Sequence, residues 1–145
     1  MNWIITKMKW IMLVSGALTC TMLYAAMAPQ AALRSTFGEA LEGPVAEIVV
    51  RNWGALIALV GAMLIYGAFN PPVRPLVLAV AGLSKLIFIG LVLAHGTYYL
   101  GHQAGLAIAI DLVMVVLFIG YLIGVRRGLT AALQDAVQRP AWEGR

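Results

Sequence analysis

The sequence predicts an all-α integral membrane protein, an antiparallel four-helix bundle with both termini on the cytoplasmic side (N-in/C-in). Three observations support this fold class: the composition, four long apolar stretches, and the placement of the basic residues. Of the 145 residues, 62% are hydrophobic and 11% are charged, whereas soluble domains carry roughly 45–50% apolar and about 25% charged residues. Because so few charged side chains cannot cover a globule, the apolar surplus is expected to face lipid. The composition therefore excludes a cytosolic enzyme and a nucleic-acid-binding protein.

Four apolar stretches are each long enough to cross a bilayer. A hydrocarbon core of about 30 Å needs roughly 20 helical residues, and the alternation typical of a membrane β-strand is absent. We expect one membrane domain, residues 1–145, with helices at about 10–28, 44–69, 76–95 and 105–125 and an amphipathic cytoplasmic tail at 126–139. This tail either extends the fourth helix or lies on the inner membrane surface, and Pro140 is expected to end it.

The first stretch also has features of a cleaved signal peptide. Two lysines precede its apolar run, and Ala26-Met27-Ala28 resembles a cleavage site. Pro29 follows directly and is expected to block the peptidase, and Thr19 fits poorly before the cysteine of a lipoprotein signal. Cys20 is the only cysteine, so no internal disulfide can form. We therefore expect this stretch to be retained as the first membrane span.

The connections between the stretches carry turn and capping signals. Three prolines within residues 70–75 remove backbone donors and predict a tight turn between helices two and three. In the first loop, Thr36 and Glu39 have the spacing of a capping box, which predicts a short helix starting there. Gly43-Pro44 is expected to end that helix and to begin helix two.

The basic residues predict the orientation of the chain. With the N-terminus in the cytoplasm, seven basic residues outside the spans fall on the inner side and two on the outer side, as the positive-inside rule requires. The inner residues are Lys7, Lys9, Arg74, Arg126, Arg127, Arg139 and Arg145, and the outer residues are Arg34 and Arg51. We expect a multi-pass protein of a bacterial-type cytoplasmic (inner) membrane.

Two charged residues, Lys85 and Asp111, lie inside predicted spans. A charge at the bilayer centre costs about 2.5–3.5 kcal/mol on insertion scales, and such residues usually face the bundle interior. Counted from the outer end, Asp111 is six residues deep and Lys85 ten, which are depths of roughly 9 and 15 Å. Helices three and four are joined by a short loop, so a lysine side chain can bridge this difference. The pair is either a structural lock between two helices, which we favour because pairing satisfies both charges, or a proton or substrate site.

A second group of polar and aromatic residues is expected at the outer end, where it could line a pocket. Its members are Glu47, Arg51, Asn52, Trp53, His95, Tyr98 and His102. Glu47 and Arg51 are spaced to share a helix face. No metal site is expected, because metals need three or four converging ligands. Ordinary solvation of helix ends explains the same residues, and a quinone headgroup near His95 and Tyr98 is the functional alternative.

Six short motifs, four of which contain glycine, lie along the sequence. They are Met12-Leu13-Val14-Ser15-Gly16, Phe37-Gly38, Arg51-Asn52-Trp53-Gly54, Tyr66-Gly67-Ala68, Pro75 and Ser84-Lys85. With the four-helix topology, these segments resemble the DoxX-like group of small four-helix membrane proteins over most of residues 10–125. That group includes a subunit of a thiosulfate:quinone oxidoreductase and chaperone-like proteins that assist receptor assembly. The cysteine and acidic motifs of some members are missing from this chain, so the resemblance implies no catalytic residues here.

Two classes of function fit these features. The leading hypothesis is a non-enzymatic accessory subunit or assembly factor, packing against other membrane subunits or a second copy of the chain. It is motivated by small residues on several helices and by the lack of a phosphate-binding loop, nucleophile elbow or metalloprotease signature. The alternative is a small proton-coupled carrier, or a quinone- or lipid-binding protein, that uses Lys85 and Asp111. Neither class requires a nucleic-acid partner, and no cofactor other than a quinone is implied.

Overall fold

The structure, a computed structural model, describes residues 2–138, which are helical apart from short turns and contain no β-strand. Its helices are α1 (Asn2–Cys20), α2 (Leu23–Met27), α3 (Pro29–Phe37), α4 (Pro44–Phe69), α5 (Arg74–Ala94) and α6 (Gln103–Gln138). Single turns of 3-10 helix at Pro71–Val73 and Thr97–Gly101 precede α5 and α6. The all-helical prediction is confirmed for this part of the chain.

Four segments of the structure are long and apolar enough to cross a membrane. They are Trp3–Met27, Pro44–Phe69, Pro71–Ala94 and Gln103–Ala131. Large apolar side chains such as Trp10, Leu59 and Val116 are exposed on these helices, as expected where a surface faces lipid rather than water. The chain is therefore a multi-pass membrane protein by length and composition.

The first span is longer than predicted and is not one straight helix. It begins at Asn2, the helix is interrupted at residues 21–22, and α2 ends at Met27. The tail after residue 125 continues α6 as helix as far as Gln138. Arg139 and Arg145, counted above for orientation, and Pro140 lie outside the described residues.

The capping-box prediction in the first loop is wrong. Helix α3 does not begin near Thr36 but starts at Pro29 and ends at Phe37. Proline suits the first turn of a helix because it needs no backbone donor there, and Gly38 adopts a left-handed φ of 79° that ends the helix. Thr36 is therefore in the last turn, where its hydroxyl cannot cap an N-terminus. The start of α4 at Pro44 is as predicted.

The helices pack in a ring of neighbours. Helix α1 packs along α4 and also contacts α6, α4 contacts α5, and α5 packs along α6. One end of the molecule carries the turn at Pro71–Val73 and is called the proline-turn end. The other carries α3 and the turn at Thr97–Gly101 and is called the α3 end. The main apolar core lies toward the proline-turn end and includes Met8, Met12, Leu64, Leu78 and Phe118.

Glycines let the first span approach α4 very closely. A Cβ atom on Gly61 would lie 2.8 Å from both the Gly16 carbonyl oxygen and the Cys20 backbone nitrogen. One on Gly54 would lie 2.7 Å from the Ala26 backbone nitrogen. These distances leave no room for a side chain, so small residues determine how near the two backbones lie, as is usual where membrane helices pack tightly.

Candidate functional site

The structure brings Lys85 of α5 and Asp111 of α6 together in an ion pair between Nζ and Oδ1. Lys85 is buried, with 8% of its surface exposed, and the side chain of Asp111 is 16% exposed. The two helices pack against each other, and the lysine side chain reaches across to the aspartate of the neighbouring helix. Each charge thereby gains a partner of opposite charge, which offsets part of the cost of burying it.

A third helix joins the pair through Thr19 of α1. The Lys85 Nζ donates to Thr19 Oγ1 over 3.5 Å, and that hydroxyl donates to the Ser15 carbonyl oxygen at 2.7 Å. Ser15 and Thr19 are the other polar residues in the buried interior of the described chain. The polar centre therefore connects α1, α5 and α6.

The interruption between α1 and α2 lies directly beside this centre. Here backbone N–H groups donate to the carbonyl oxygen three residues earlier instead of four. Met22 N donates to the Thr19 oxygen at 3.2 Å, and Ala25 N donates to the Met22 oxygen at 2.9 Å. The Thr21 hydroxyl donates to the Leu18 carbonyl oxygen at 2.6 Å. Threonine hydroxyls that bond back to the preceding turn bend helices. Two of them, on Thr19 and Thr21, explain a break that contains neither proline nor glycine.

Arg51 of α4 stabilises the far end of α2. Its Nη1 donates to the Ala26 carbonyl oxygen at 2.6 Å and to the Met27 oxygen at 3.4 Å. Its Nη2 lies 2.5 Å from Glu47 Oε1, one turn earlier on α4. A cation suits the C-terminal carbonyls of a helix. Glu47 and Arg51 thus share a face as predicted, but Arg51 caps α2 instead of facing a pocket.

A cavity of about 320 Å³, called the pair cavity, opens beside the ion pair. Its polar lining is Thr19, Thr21, Thr36, Ser84, Lys85, Gln103 and Asp111. Apolar side chains of the first span, α4, α5 and α6, among them Ile57, Phe88 and Ile110, form the rest. The lining residues that are exposed, including Thr21, Gln103 and Leu106, come from the interrupted first span and the start of α6. The mouth therefore lies between these two segments.

A second cavity of about 400 Å³ lies toward the α3 end and is called the α3-end cavity. Apart from Glu39, His95 and Tyr99 it is lined by apolar side chains. Trp53 and Phe88 line both cavities, so these two rings stand between them. The Phe37 ring packs against Trp53 with centroids 6.1 Å apart and against Tyr99 at 5.9 Å.

The seven residues of the predicted outer pocket do not converge on one site. Trp53 and His95 line the α3-end cavity, and the His95 Nδ1 lies 2.8 Å from the Leu91 oxygen. Tyr98 is exposed, and its ring centroid is 5.5 Å from that of His102. Asn52 is exposed on α4, and Glu47 and Arg51 form the exposed pair described above.

The His102 ring lies against Gly38, directly after the last residue of α3. A Cβ on Gly38 would overlap this ring, and the His102 Nδ1 is buried without a hydrogen-bond partner among the described residues. Within residues 2–138 no group of three or more histidine, cysteine, aspartate or glutamate side chains could hold a metal ion. The His102 ring therefore packs against the C-terminal end of α3.

Five polar residues of the pair cavity were not predicted as site residues: Thr19, Thr21, Thr36, Ser84 and Gln103. The available signal was the repetition of hydroxyls at Thr19 and Thr21 within an apolar stretch. A pattern of two threonines does not show which helix face they occupy, so it could not place them beside Lys85.

No family model matches this chain, and no curated protein or solved structure is significantly similar to it.

Proposed function

We propose that this chain is a small membrane-embedded binding protein that holds a small molecule in the pair cavity. Lys85 and Asp111 supply the polar contacts, and the apolar walls hold the remainder of the ligand. The observation that carries this proposal is that a buried ion pair borders an open cavity of about 320 Å³ instead of being packed on all sides. Ligand sites are typically apolar concavities with a few convergent polar groups.

The energetics of the pair favour a binding role over a lock. A buried ion pair is often no more stabilising than well-packed apolar residues of similar volume, so it is weak support for stability. If the pair served only to hold α5 against α6, the attraction between its two charges would be stronger in a closed contact without water. Asp111 instead keeps part of its side chain exposed, and it lines the cavity.

The interrupted first span supports the same function. Inside a membrane, non-helical backbone is tolerated where it is buried in protein or lines a cavity, and discontinuous helices form the substrate sites of many transporters. Thr19, just before the break, and Thr21, within it, both line the pair cavity. The alternative of a proton-coupled carrier uses these same residues.

For the membrane topology we propose an antiparallel four-helix bundle with its proline-turn end in the cytoplasm of a bacterial-type inner membrane. The support is that Lys7, Lys9, Arg74, Arg126 and Arg127 belong to that end, as the positive-inside rule favours. Membership of the DoxX-like group, a quinone as ligand, and an accessory role beside other subunits or a second copy stay predictions from the sequence.

Native mass spectrometry of the protein released from its membranes in mild detergent tests the binding function. Ala107 lines the pair cavity, whereas Ala109 of the same helix is exposed and lines neither cavity. We expect wild-type protein and Ala109→Phe to retain an additional small mass, and Ala107→Phe to lose it because the new ring fills the cavity. Equal retention by the two variants, or no retained mass in wild type, would contradict the proposal.

A further inference from the structure

The charges around the pair cavity cancel. Its charged lining consists of one lysine and one aspartate, which are already paired with each other. The remaining polar groups are uncharged: the hydroxyls of Ser84 and three threonines, and the amide of Gln103. The cavity therefore offers hydrogen bonds without a surplus of either charge.

The pair keeps hydrogen-bonding capacity for a ligand. An ammonium group has three donors, and Lys85 directs one to Asp111 and one to Thr19. The carboxylate of Asp111 meets Lys85 through Oδ1, so Oδ2 is left to accept a further bond. The Ser84 hydroxyl, one residue from Lys85, can donate or accept. A ligand that has both a donor and an acceptor matches these groups.

A ligand with a net charge matches them poorly. It would lose its hydration in a region where desolvation of ions is costly, and it would find no unpaired counter-charge. To gain a partner it would have to break the contact between Lys85 and Asp111, which leaves one of them uncompensated. An uncharged head group avoids both costs.

We propose that the ligand of the pair cavity is a small uncharged amphiphile, an alcohol or phenol-like molecule with a hydrogen-bonding head beside Lys85, Asp111 and Ser84 and an apolar body against Ile57, Phe88 and Ile110. This inference rests on the proposed function and adds the chemical class of the ligand. A cavity of about 320 Å³ lies at the lower end of the roughly 300–1,000 Å³ typical of ligand pockets, so the ligand is expected to be small.

Trp53 lines the cavity and provides the measurement, because bromine quenches indole fluorescence on contact. The test uses full-length protein in lipid nanodiscs carrying Trp3→Phe, Trp10→Phe and Trp142→Phe, which leaves Trp53 as the single tryptophan. Trp3 and Trp10 are 64% and 62% exposed, so their replacement disturbs no core contact. The probes are para-bromobenzyl alcohol, para-bromobenzoate and para-bromobenzylamine, which have similar shapes and are respectively neutral, anionic and cationic at neutral pH.

We expect the alcohol to quench Trp53 saturably, with half-saturation at a concentration at least about tenfold lower than for either charged probe, a difference of about 1.4 kcal/mol. A variant that retains Trp10 as its single tryptophan reports partition into the bilayer and should show no saturation. Ala107→Phe should abolish saturable quenching of Trp53, and the paired Lys85→Met and Asp111→Leu change should weaken it by at least about tenfold.

Two results would overturn the inference. One is saturable quenching by the anion or the cation at concentrations equal to or below those of the alcohol. The other is no saturable quenching of Trp53 by the alcohol. Neither result decides the proposed function, which depends on the mass retained by wild type and lost in Ala107→Phe. A retained mass with failed alcohol binding would show a ligand site of a different chemical class.

Discussion

At the scale of single residues, Lys85 shows how one charged side chain constrains several helices. Its ammonium meets Asp111 on α6 and Thr19 on α1 while its own backbone is in α5. Each contact offsets part of the cost of keeping the charge away from water. The stabilisation that any one contact provides therefore depends on whether the other contacts remain. Single and paired substitutions should for this reason differ strongly in their effect on stability.

We predict that Asp111→Leu is much more destabilising than Lys85→Met combined with Asp111→Leu. The single change leaves a buried lysine without its carboxylate, which should lower the free energy of unfolding by about 3–5 kcal/mol. The double change replaces both charges with apolar groups and should recover most of that loss. Denaturant unfolding in detergent micelles measures the difference, with Leu83→Met on the exposed face of α5 as the control. Additive effects of the two substitutions would mean that the side chains do not interact.

A second prediction concerns Gly38, where backbone strain and lack of space act together. Its φ is 79°, and a Cβ there would overlap the His102 ring. Gly43 has a φ of 102° but no atom within 4 Å of such a Cβ. This φ with a ψ of 158° is a conformation nearly restricted to glycine, so Gly43→Ala should cost only this backbone penalty of about 1–3 kcal/mol. Gly38→Ala should add to its own backbone penalty a steric cost that depends on the His102 ring. Thermal unfolding compares the two variants, and adding His102→Ala should remove that steric cost at Gly38. A cost of Gly38→Ala that stays the same when His102 is also alanine would contradict the steric contact, and the cost of Gly43→Ala should not depend on His102.

At the scale of elements, the close contact between α1 and α4 depends on glycines, which have no side chain. We predict that Gly61→Ala destabilises the protein by about 1–3 kcal/mol, because the added methyl group meets backbone atoms of Gly16 and Cys20 that cannot turn away. Gly90→Ala in α5 meets nothing within 4 Å and should be neutral or stabilising, since alanine favours helix by up to about 1 kcal/mol. Thermal unfolding in the same detergent measures both, and a harmless Gly61→Ala would contradict the close approach.

The elements also show where prediction from the sequence reached its limit. The four spans follow from apolar length alone, because any helix that crosses lipid must be long and apolar. The interruption at residues 21–22 could not be predicted in the same way, since neither proline nor glycine marks it. It depends on threonine hydroxyls bonding back to Ser15 and Leu18, and most threonines in helices make no such break.

At the scale of the whole molecule, the sequence predicted how far along its span each residue lies, but not how each helix is rotated about its own axis. Lys85 and Asp111 meet because they lie within one lysine side-chain length of the same depth on neighbouring helices joined by a short turn. The predicted outer pocket also grouped residues by depth, but Arg51 turns toward α2 while Trp53, half a turn later on α4, turns toward the cavities. The rotation of a helix about its own axis is determined by packing, and α4 is apolar on too many sides for its sequence to indicate that rotation.

The distribution of charge over the two ends leads to a prediction for the orientation in the membrane. Lys7, Lys9, Arg126 and Arg127 are exposed at the proline-turn end, whereas Glu39, Glu42 and Glu47 belong to the α3 end, where two arginines partly offset them. Because basic residues are retained on the cytoplasmic side, the proline-turn end should face the cytoplasm. The lone Cys20 lies within the first span, so replacing it provides a background for new cysteines at either end.

In a Cys20→Ala background, we expect Tyr98→Cys to react with a membrane-impermeant maleimide on intact cells and Pro72→Cys to react only after the membrane is permeabilised. Both positions are exposed at turns, at opposite ends of the molecule, so accessibility to the reagent depends on the side of the membrane. The Cys20→Ala parent should stay unlabelled throughout. The reverse labelling order would invert the orientation, and it would then place the α3-end cavity on the cytoplasmic side. Labelling of both positions in intact cells would contradict a membrane barrier between the two turns.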